Sequence, residues 1–192
     1  MGAVVAIVGG IGSGKSVVCR ILSRLGYEVY DCDSRAKILM NTDEDLKRRL
    51  ADAFGPSVFL RDGTVNRPYL AAIVFNDAKA LATLNNIVHG EVKADLARCI
   101  NNVPQDCLFF LETAIPVESG IDKIADRMWL VTCPVEERVK RIVARNGVTE
   151  QHARSRINSQ IEVNTDNVDI IVNDGLTPVL PRVLDLLDTI DK

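Results

Sequence analysis

The feature that most constrains this chain is the run GGIGSGKS at residues 9–16, which fits the pattern G-x-x-x-x-G-K-[ST]. The apolar run Val4–Val8 precedes it and predicts a strand buried on both faces. Residues 16–25 follow with apolar side chains at helical spacing, and Gly26 is placed to end that helix. Glycines let the backbone wrap so that N–H groups converge on a phosphate, and the helix N-terminus adds partial positive charge. The order of strand, glycine-rich turn and helix therefore predicts a phosphate-binding loop.

The chemistry of this loop predicts the roles of its side chains. Lys15 is expected to reach the β- and γ-phosphate oxygens of ATP, and the Ser16 hydroxyl to bind Mg²⁺ together with those phosphates. A GTPase would also carry an N-K-x-D sequence for guanine, and the chain contains none. We predict that the nucleotide-binding residues of the loop are Gly10, Gly12, Ser13, Gly14, Lys15, Ser16 and Val17.

The rest of the chain alternates between strand and helix patterns, interrupted by one helical stretch. Further strands are predicted at 27–32, 107–112, 128–133 and 168–172, and helices at 135–146, 149–159 and from 179 onwards. Residues 34–104 read as helices instead, with Thr42, Asn66 and Asp77 as candidate caps. The pattern predicts an α/β fold with a five-stranded parallel sheet covered by helices on both faces. The predicted core is 1–33, 105–146 and 165–192, with a helical insert at 34–104.

Carboxylates follow two of the predicted strands, at the sheet edge where ligands gather in open parallel sheets. Asp33 is a candidate general base for a hydroxyl acceptor. Asp31 or Asp33 could instead cap the helix that begins near Ser34. Glu112 ends an apolar strand and could hold Mg²⁺ through a water, or it could be a solvated strand end.

Arginines recur on the predicted helix at 135–146. Arg138, Arg141 and Arg145 share a face apart from its valine and isoleucine stripe. We expect Arg141 and Arg145 to contact phosphate, since a guanidinium fork matches phosphate oxygens, and we expect Arg138 and Arg154 to be solvated. The turn and polar helix that follow have the layout of a mobile lid at 147–164.

Composition restricts the remaining possibilities. The formal net charge is -3, which favours neither nucleic acid nor membrane binding. The five cysteines include no C-x-x-C pair, and the two histidines have no ligand spacing, so we expect neither disulfides nor a structural metal. No apolar stretch is long enough to span a membrane, and we expect a cytoplasmic protein.

An ordered series of short motifs runs over nearly the whole length of the chain. Besides the loop at 9–16, they are Asp31-Cys32-Asp33-Ser34-Arg35-Ala36-Lys37, Phe54-Gly55, Asp62-Gly63, Asn66-Arg67, Ile73-Val74-Phe75, Leu84 to His89, Ile115 to Gly120, Arg141-x-x-x-Arg145-Asn146-Gly147, Arg156 to Gln160 and Val172-Asn173-Asp174-Gly175. In this series the chain resembles the dephospho-coenzyme A kinase family.

The resemblance implies a P-loop kinase fold with a helical acceptor-binding subdomain at 34–104. It also implies Mg²⁺-dependent transfer of the ATP γ-phosphoryl to the ribose 3′-hydroxyl of dephospho-coenzyme A. Asp33 would be the base, Arg141 the lid arginine, and Arg67 and His89 would lie near the acceptor. The expected partners are these two small molecules alone, and we expect a monomer or weak homo-oligomer.

Some positions depart from the family's usual sequence. Val17 stands where threonine is usual, which would remove a contact to the α-phosphate, and Gly90 and Ala114 each stand where proline is usual. The segment between Gln160 and Asn167 is shorter than usual. The alternatives to this assignment are another small P-loop kinase, acting on a nucleoside, nucleotide or small alcohol, and a nucleotide-binding regulatory ATPase.

Overall fold

The computed structural model describes residues 3–105, 107–160 and 168–190. Internal contacts divide the chain into two compact units. The first unit consists of the described residues of 1–30 and 103–192, and the second, here the helical unit, is Asp31–Asn102. The predicted short segment after Gln160 lies outside the described residues.

A parallel sheet organises the fold around its most apolar strand. Its five strands follow the order β2-β3-β1-β4-β5, and β1 pairs in parallel with both β3 and β4. All five residues of β1 are buried, as expected for a central strand with both faces covered. The predicted fold is confirmed. The strands are β1 Val4–Val8, β2 Val29–Asp31, β3 Phe109–Glu112, β4 Arg127–Thr132 and β5 Asp169–Val172.

Two helix pairs pack within the first unit, each through its apolar stripe. α1 and α9 bury Val18, Leu22 and Leu186 in one core together with Phe110 and Trp129 of the sheet. α7 and α8 share a smaller core of Val139, Ile142, Ala153 and Ile157. The helices of this unit are α1 Lys15–Arg24, α6 Pro116–Ser119, α7 Val135–Asn146, α8 Glu150–Asn158 and α9 Val179–Ile190.

The helical unit packs around one long helix, α5, which contacts the other three. Its core includes Leu46 and Leu50, and the guanidinium of Arg35 on α2 donates two hydrogen bonds, of 2.6 and 3.0 Å, to the buried carboxylate of Asp95 on α5. The helices are α2 Cys32–Thr42, α3 Glu44–Phe54, α4 Arg67–Val74 and α5 Ala78–Asn101.

The capping residues of this unit match the sequence analysis at two helices and differ at a third. Asn66 caps α4 and Asp77 caps α5, as predicted. The predicted Thr42 cap is wrong, because α2 continues through Thr42 and the Asp43 carboxylate accepts the Leu46 N–H at 2.8 Å. The Thr42 hydroxyl donates instead to the Ile38 carbonyl of its own helix.

In the part of the chain that the structure describes, no helix combines the length and apolarity needed to cross a membrane.

Candidate active site

The loop between β1 and α1 leaves the helix N-terminus open to a ligand. Gly14 is the N-cap residue of α1 and has a φ of 94°, the left-handed region that favours glycine. No side chain caps this helix and its first turn has no acidic residue. Helix N–H groups that lack side-chain acceptors form a ready anion site. The local sequence therefore builds the predicted phosphate loop.

An open cavity of about 400 Å³ lies against this loop. Its lining combines residues of the loop and of the start of α1 with four charged or polar side chains from elsewhere in the first unit. The lining residues are Gly12, Gly14, Lys15, Ser16, Val17, Glu112, Arg141, Arg145 and Asn173.

Lys15 is the buried cation of this cavity. Its Nζ donates to the Gly9 carbonyl at 3.0 Å and lies 3.8 Å from Glu112 Oε1. The other oxygen of Glu112, Oε2, accepts from the Cys19 thiol at 3.3 Å. The carboxylate of Glu112 therefore faces the lysine rather than bulk solvent, and the alternative of a simple solvated strand end does not describe it.

Arg141 on α7 holds the outer side of the loop. Its Nη1 donates to the carbonyls of Gly12 and Ser13 at 3.4 and 3.3 Å, and its Nη2 donates to the Asn173 carbonyl at 3.1 Å. Arg145 lies one turn further on, lines the cavity, and donates from Nε to Asn146. Both arginines expected at phosphate thus reach the cavity.

Asn173 is a site residue that the sequence analysis did not select. It is buried directly after β5, and its Nδ2 donates to the Ser13 carbonyl at 3.0 Å. A Cβ at Gly14 would collide with this amide, so the contact requires glycine there. The sequence signal that could have identified Asn173 is its position directly after a predicted strand, because ligands bind at the carboxyl ends of parallel strands.

Two predicted loop residues do not line the cavity. Ser13 is 2% exposed, and its hydroxyl has no hydrogen-bond partner within the described residues. Gly10 lies instead against Arg138 and Gln160. Their places in the loop are as predicted, while contact with a nucleotide stays a prediction for both.

The expectation that Arg138 is solvated is wrong. Its Nε donates to the Ile11 carbonyl at 2.9 Å, and burial lowers the pKa of its guanidinium. The reason is that the loop lies directly on α7 and covers this arginine. Arg154 is different, since it forms an exposed two-bond pair with Glu136, with N–O distances of 2.9 and 2.7 Å.

The residues predicted on the acceptor side all lie in the helical unit. Asp31 accepts from the Ser34 N–H at 3.0 Å and caps α2, which confirms the capping alternative for Asp31. Asp33 lies exposed in the first turn of α2 and does not act as that cap. Arg67 begins α4, and His89 lies half-buried on α5.

The helical unit has a second cavity, here the apolar groove, of about 250 Å³. Arg67 lines it, whereas His89 is not among its described lining residues. The groove is lined by Lys37, Met40, Asn41, Val65, Arg67, Leu70, Ala71, Val74, Phe75 and Leu84.

Solved structures place this architecture in a class. The chain is similar to TT1252 from Thermus thermophilus, with 32% identity, a TM-score of 0.80 and coverage of 98% of this chain and 97% of that one. It shares its fold with shikimate kinase from Acinetobacter baumannii, with 15% identity, a TM-score of 0.53 and coverage of 99% and 93%. Together with the phosphate loop, these likenesses define the P-loop kinase fold.

Within that class the family is specific. The family model for dephospho-CoA kinase matches residues 3–177. A relative named dephospho-CoA kinase, from Bacteroides fragilis, is 35% identical over 188 residues, covering 95% of this chain and 90% of the relative. The chain belongs to the dephospho-CoA kinase family, whose reaction converts dephospho-CoA to coenzyme A with ATP. The resemblance found in the sequence is confirmed.

Proposed function

We propose that this chain transfers the γ-phosphoryl of ATP to the ribose 3′-hydroxyl of dephospho-CoA, with Asp33 as the general base. The observation that carries the proposal is the cavity at the phosphate loop, where Lys15, Ser16 and Arg141 converge on the open N-terminus of α1. Family membership supplies the acceptor.

On the nucleotide side, backbone N–H groups of the loop and of α1 would bind the β-phosphate. Lys15 would leave the Gly9 carbonyl to reach the β- and γ-oxygens, a short movement for a flexible side chain. Arg141 and Arg145 would neutralise charge on the transferring phosphoryl. This arrangement supports ATP as the phosphoryl donor.

The donor set of the cavity fits Mg²⁺. Ser16 and Glu112 present oxygen ligands on the same cavity, and oxygen is the ligand that Mg²⁺ prefers. Within the described residues no group of three His, Cys, Asp or Glu side chains forms a metal site. Mg²⁺ held mainly by nucleotide phosphates, with Ser16 direct and Glu112 through water, fits this set. When bound, the ion would neutralise charge on the β- and γ-phosphates.

On the acceptor side, we assign binding to the helical unit. The apolar groove matches the pantetheine arm of dephospho-CoA, since most of its lining side chains are aliphatic or aromatic. Lys37 and Arg67 add cationic groups to the same groove for an anionic acceptor. His89 stays a candidate acceptor contact without support from this groove.

In the transfer step the acceptor 3′-oxygen would form a bond to the γ-phosphorus while the bond to the β-phosphate oxygen breaks. Asp33 would accept the hydroxyl proton, and ADP would leave with the electron pair of the broken bond. Asp33 lies in the first turn of α2, where the partial positive charge of a helix N-terminus interacts favourably with a carboxylate.

The decisive measurement is ADP release from Mg·ATP with and without dephospho-CoA. We expect release to require the acceptor and to fall by about 10²–10⁴-fold in Asp33→Asn, because a general base contributes that much. Asp45→Asn is the matched control, since Asp45 is an exposed helix carboxylate paired only locally with Arg48. Acceptor-independent release that Asp33→Asn leaves unchanged would instead favour a regulatory ATPase.

The proposal has two further parts, which are a lid over the nucleotide and the location and oligomeric state of the enzyme. Residues 147–164 would act as a lid, which the packing of α8 on α7, the helix that carries Arg141, supports. We also propose a cytoplasmic monomer or weak homo-oligomer, which sedimentation at several concentrations would check.

A further inference from the structure

Both backbone polar groups of Ile11, in the middle of the phosphate loop, are hydrogen-bonded to side chains far along the chain. The Ile11 N–H donates to Gln160 Oε1 at 2.7 Å, and Arg138 Nε donates to the Ile11 carbonyl at 2.9 Å. Arg138 Nη2 also donates to Gln160 Oε1 at 3.2 Å. These three hydrogen bonds close a ring of one loop residue and two side chains, here the Ile11 ring.

The glycine beside Ile11 is required by this ring and not by its own backbone angle. Gly10 is absent from the glycines with positive φ, yet a Cβ there would lie 3.0 Å from Gln160 Oε1 and collide with the Arg138 guanidinium. The loop is therefore shaped to admit these two side chains.

The positive charge of Arg138 makes its hydrogen bonds in the Ile11 ring stronger than bonds between neutral groups. Arg138 remains protonated at every physiological pH, and a hydrogen bond from a charged donor to a carbonyl is stronger than one between neutral groups. Its neighbour Arg154 uses its charge on the exposed Glu136 instead, whereas Arg138 directs its charge to the loop. Arg138 and Arg154 therefore differ in partner and in burial.

The ring joins the loop to the end of α8. Gln160 lies two residues beyond the last residue of α8, which packs on α7 through Ala153 and Ile157. A loop that is already fixed before its ligand arrives loses less conformational freedom on binding. Fixing Ile11 would limit the movement of Gly12 and Gly14, which follow it in the loop and line the cavity.

We propose that Arg138 and Gln160 are positioning residues that hold the phosphate loop ready for nucleotide and couple it to α8. The inference rests on the proposed binding of ATP at this loop. Neither side chain lines the cavity, so both act on the nucleotide through Ile11. Loss of either one should weaken nucleotide binding more than it slows phosphoryl transfer.

The test is a double-mutant cycle of Arg138→Met and Gln160→Met in the full chain, with ATP affinity measured by calorimetry and kinetics measured in parallel. Each single variant should raise the Kd and KM for ATP by about tenfold, as the loss of one or two hydrogen bonds implies. The kcat should change less than about twofold, since the ring touches no reacting atom. The double variant should be little worse than either single one, because one break already opens the ring.

Two controls separate positioning from general damage. Lys140→Met removes an exposed cation of α7 that pairs with Glu137, and it should leave ATP affinity unchanged. Gln160→Glu keeps the acceptor oxygen and should restore affinity to within about threefold of the wild type. Should Gln160→Met fail to fold by its melting curve, Gln160→Asn carries the same test with a side chain one methylene shorter.

Amide hydrogen exchange measures whether the loop itself becomes more mobile, which general destabilisation of the fold would not show selectively. Amides of residues 10–14 should exchange faster in Gln160→Met, with no change in the β1 and β4 amides. Unchanged ATP affinity in both single variants, or effects that add fully in the double variant, would overturn the inference. A wild-type chain that does not bind ATP would instead overturn the proposed function.

Discussion

The cavity at the phosphate loop and the apolar groove of the helical unit are made from different parts of the chain. Five of the nine lining residues of the first cavity fall within residues 12–17, and the others are Glu112, Arg141, Arg145 and Asn173. The groove takes its lining from α2, α4, α5 and the segments between them, spread over residues 37–84. The lining of the first cavity is concentrated in one short stretch of the sequence, whereas the lining of the apolar groove is dispersed over several segments.

The difference follows from what each site has to bind. Phosphate oxygens accept from backbone N–H groups, so a short run with fixed backbone geometry is sufficient and leaves a recognisable sequence pattern. An apolar ligand segment is bound by the shape of packed side chains, which no short pattern encodes. We therefore expect variants in the first cavity to act through charge, and variants in the groove to act through contact area.

Of the two cavities, the one at the phosphate loop should give the larger effect, through its buried cation. Lys15→Ala should lower kcat/KM by about 10²–10³-fold, because it removes a charge that stabilises the transferring phosphoryl. ADP release with dephospho-CoA as acceptor measures this. Lys140→Ala is the matched control, since Lys140 is exposed on α7 and pairs locally with Glu137. A loss below about threefold in Lys15→Ala would contradict the charge-based account of this cavity.

A smaller and more selective effect should come from the groove. Phe75 is 84% exposed in the groove, so Phe75→Ser removes apolar contact area without emptying the core. We expect the KM for dephospho-CoA to rise by about fivefold, as the loss of part of one aromatic contact implies. The KM for ATP should not change, which distinguishes the two sites.

The matched control for Phe75 is Leu176→Ser. Leu176 is 90% exposed in the first unit and lines neither cavity. It should change neither KM. Equal effects of the two substitutions on the acceptor KM would remove the groove from the acceptor site.

The same contrast explains what could be predicted from the sequence. The loop, the parallel sheet, α7 and the caps Asn66 and Asp77 depend on local pattern, and all were predicted close to their observed bounds. Lys15 and Ser16 line the cavity for the same reason, and Arg141, which was expected at phosphate, lines it as well. The groove was not predicted, because its lining depends on how four segments pack.

At the phosphate loop, too, some contacts could not be predicted from the sequence, and those of Arg138 and Asn173 are examples. By helical spacing Arg138 is indistinguishable from a solvated arginine, and only the approach of the loop to α7 buries it. Asn173 contacts the Ser13 carbonyl 160 positions earlier in the chain, a contact that strand order decides. Both residues act on backbone carbonyls, which carry no sequence signal of their own.

The smallest predicted effect concerns the stability of the helical unit. It tests whether that stability can change without a change in ATP affinity. Asp43→Ala removes the side chain that caps α3, and such losses lower the free energy of unfolding by about 0.5–2 kcal/mol. Thr42→Ala, at the cap expected from sequence, should change it by less than about 0.5 kcal/mol, because that hydroxyl caps no helix and donates to the Ile38 carbonyl of its own helix. Urea unfolding measures both, and ATP affinity should stay at the wild-type value in both variants. Equal destabilisation by the two substitutions would remove Asp43 as the cap, while a change in ATP affinity would show that the loop's geometry depends on the helical unit's stability.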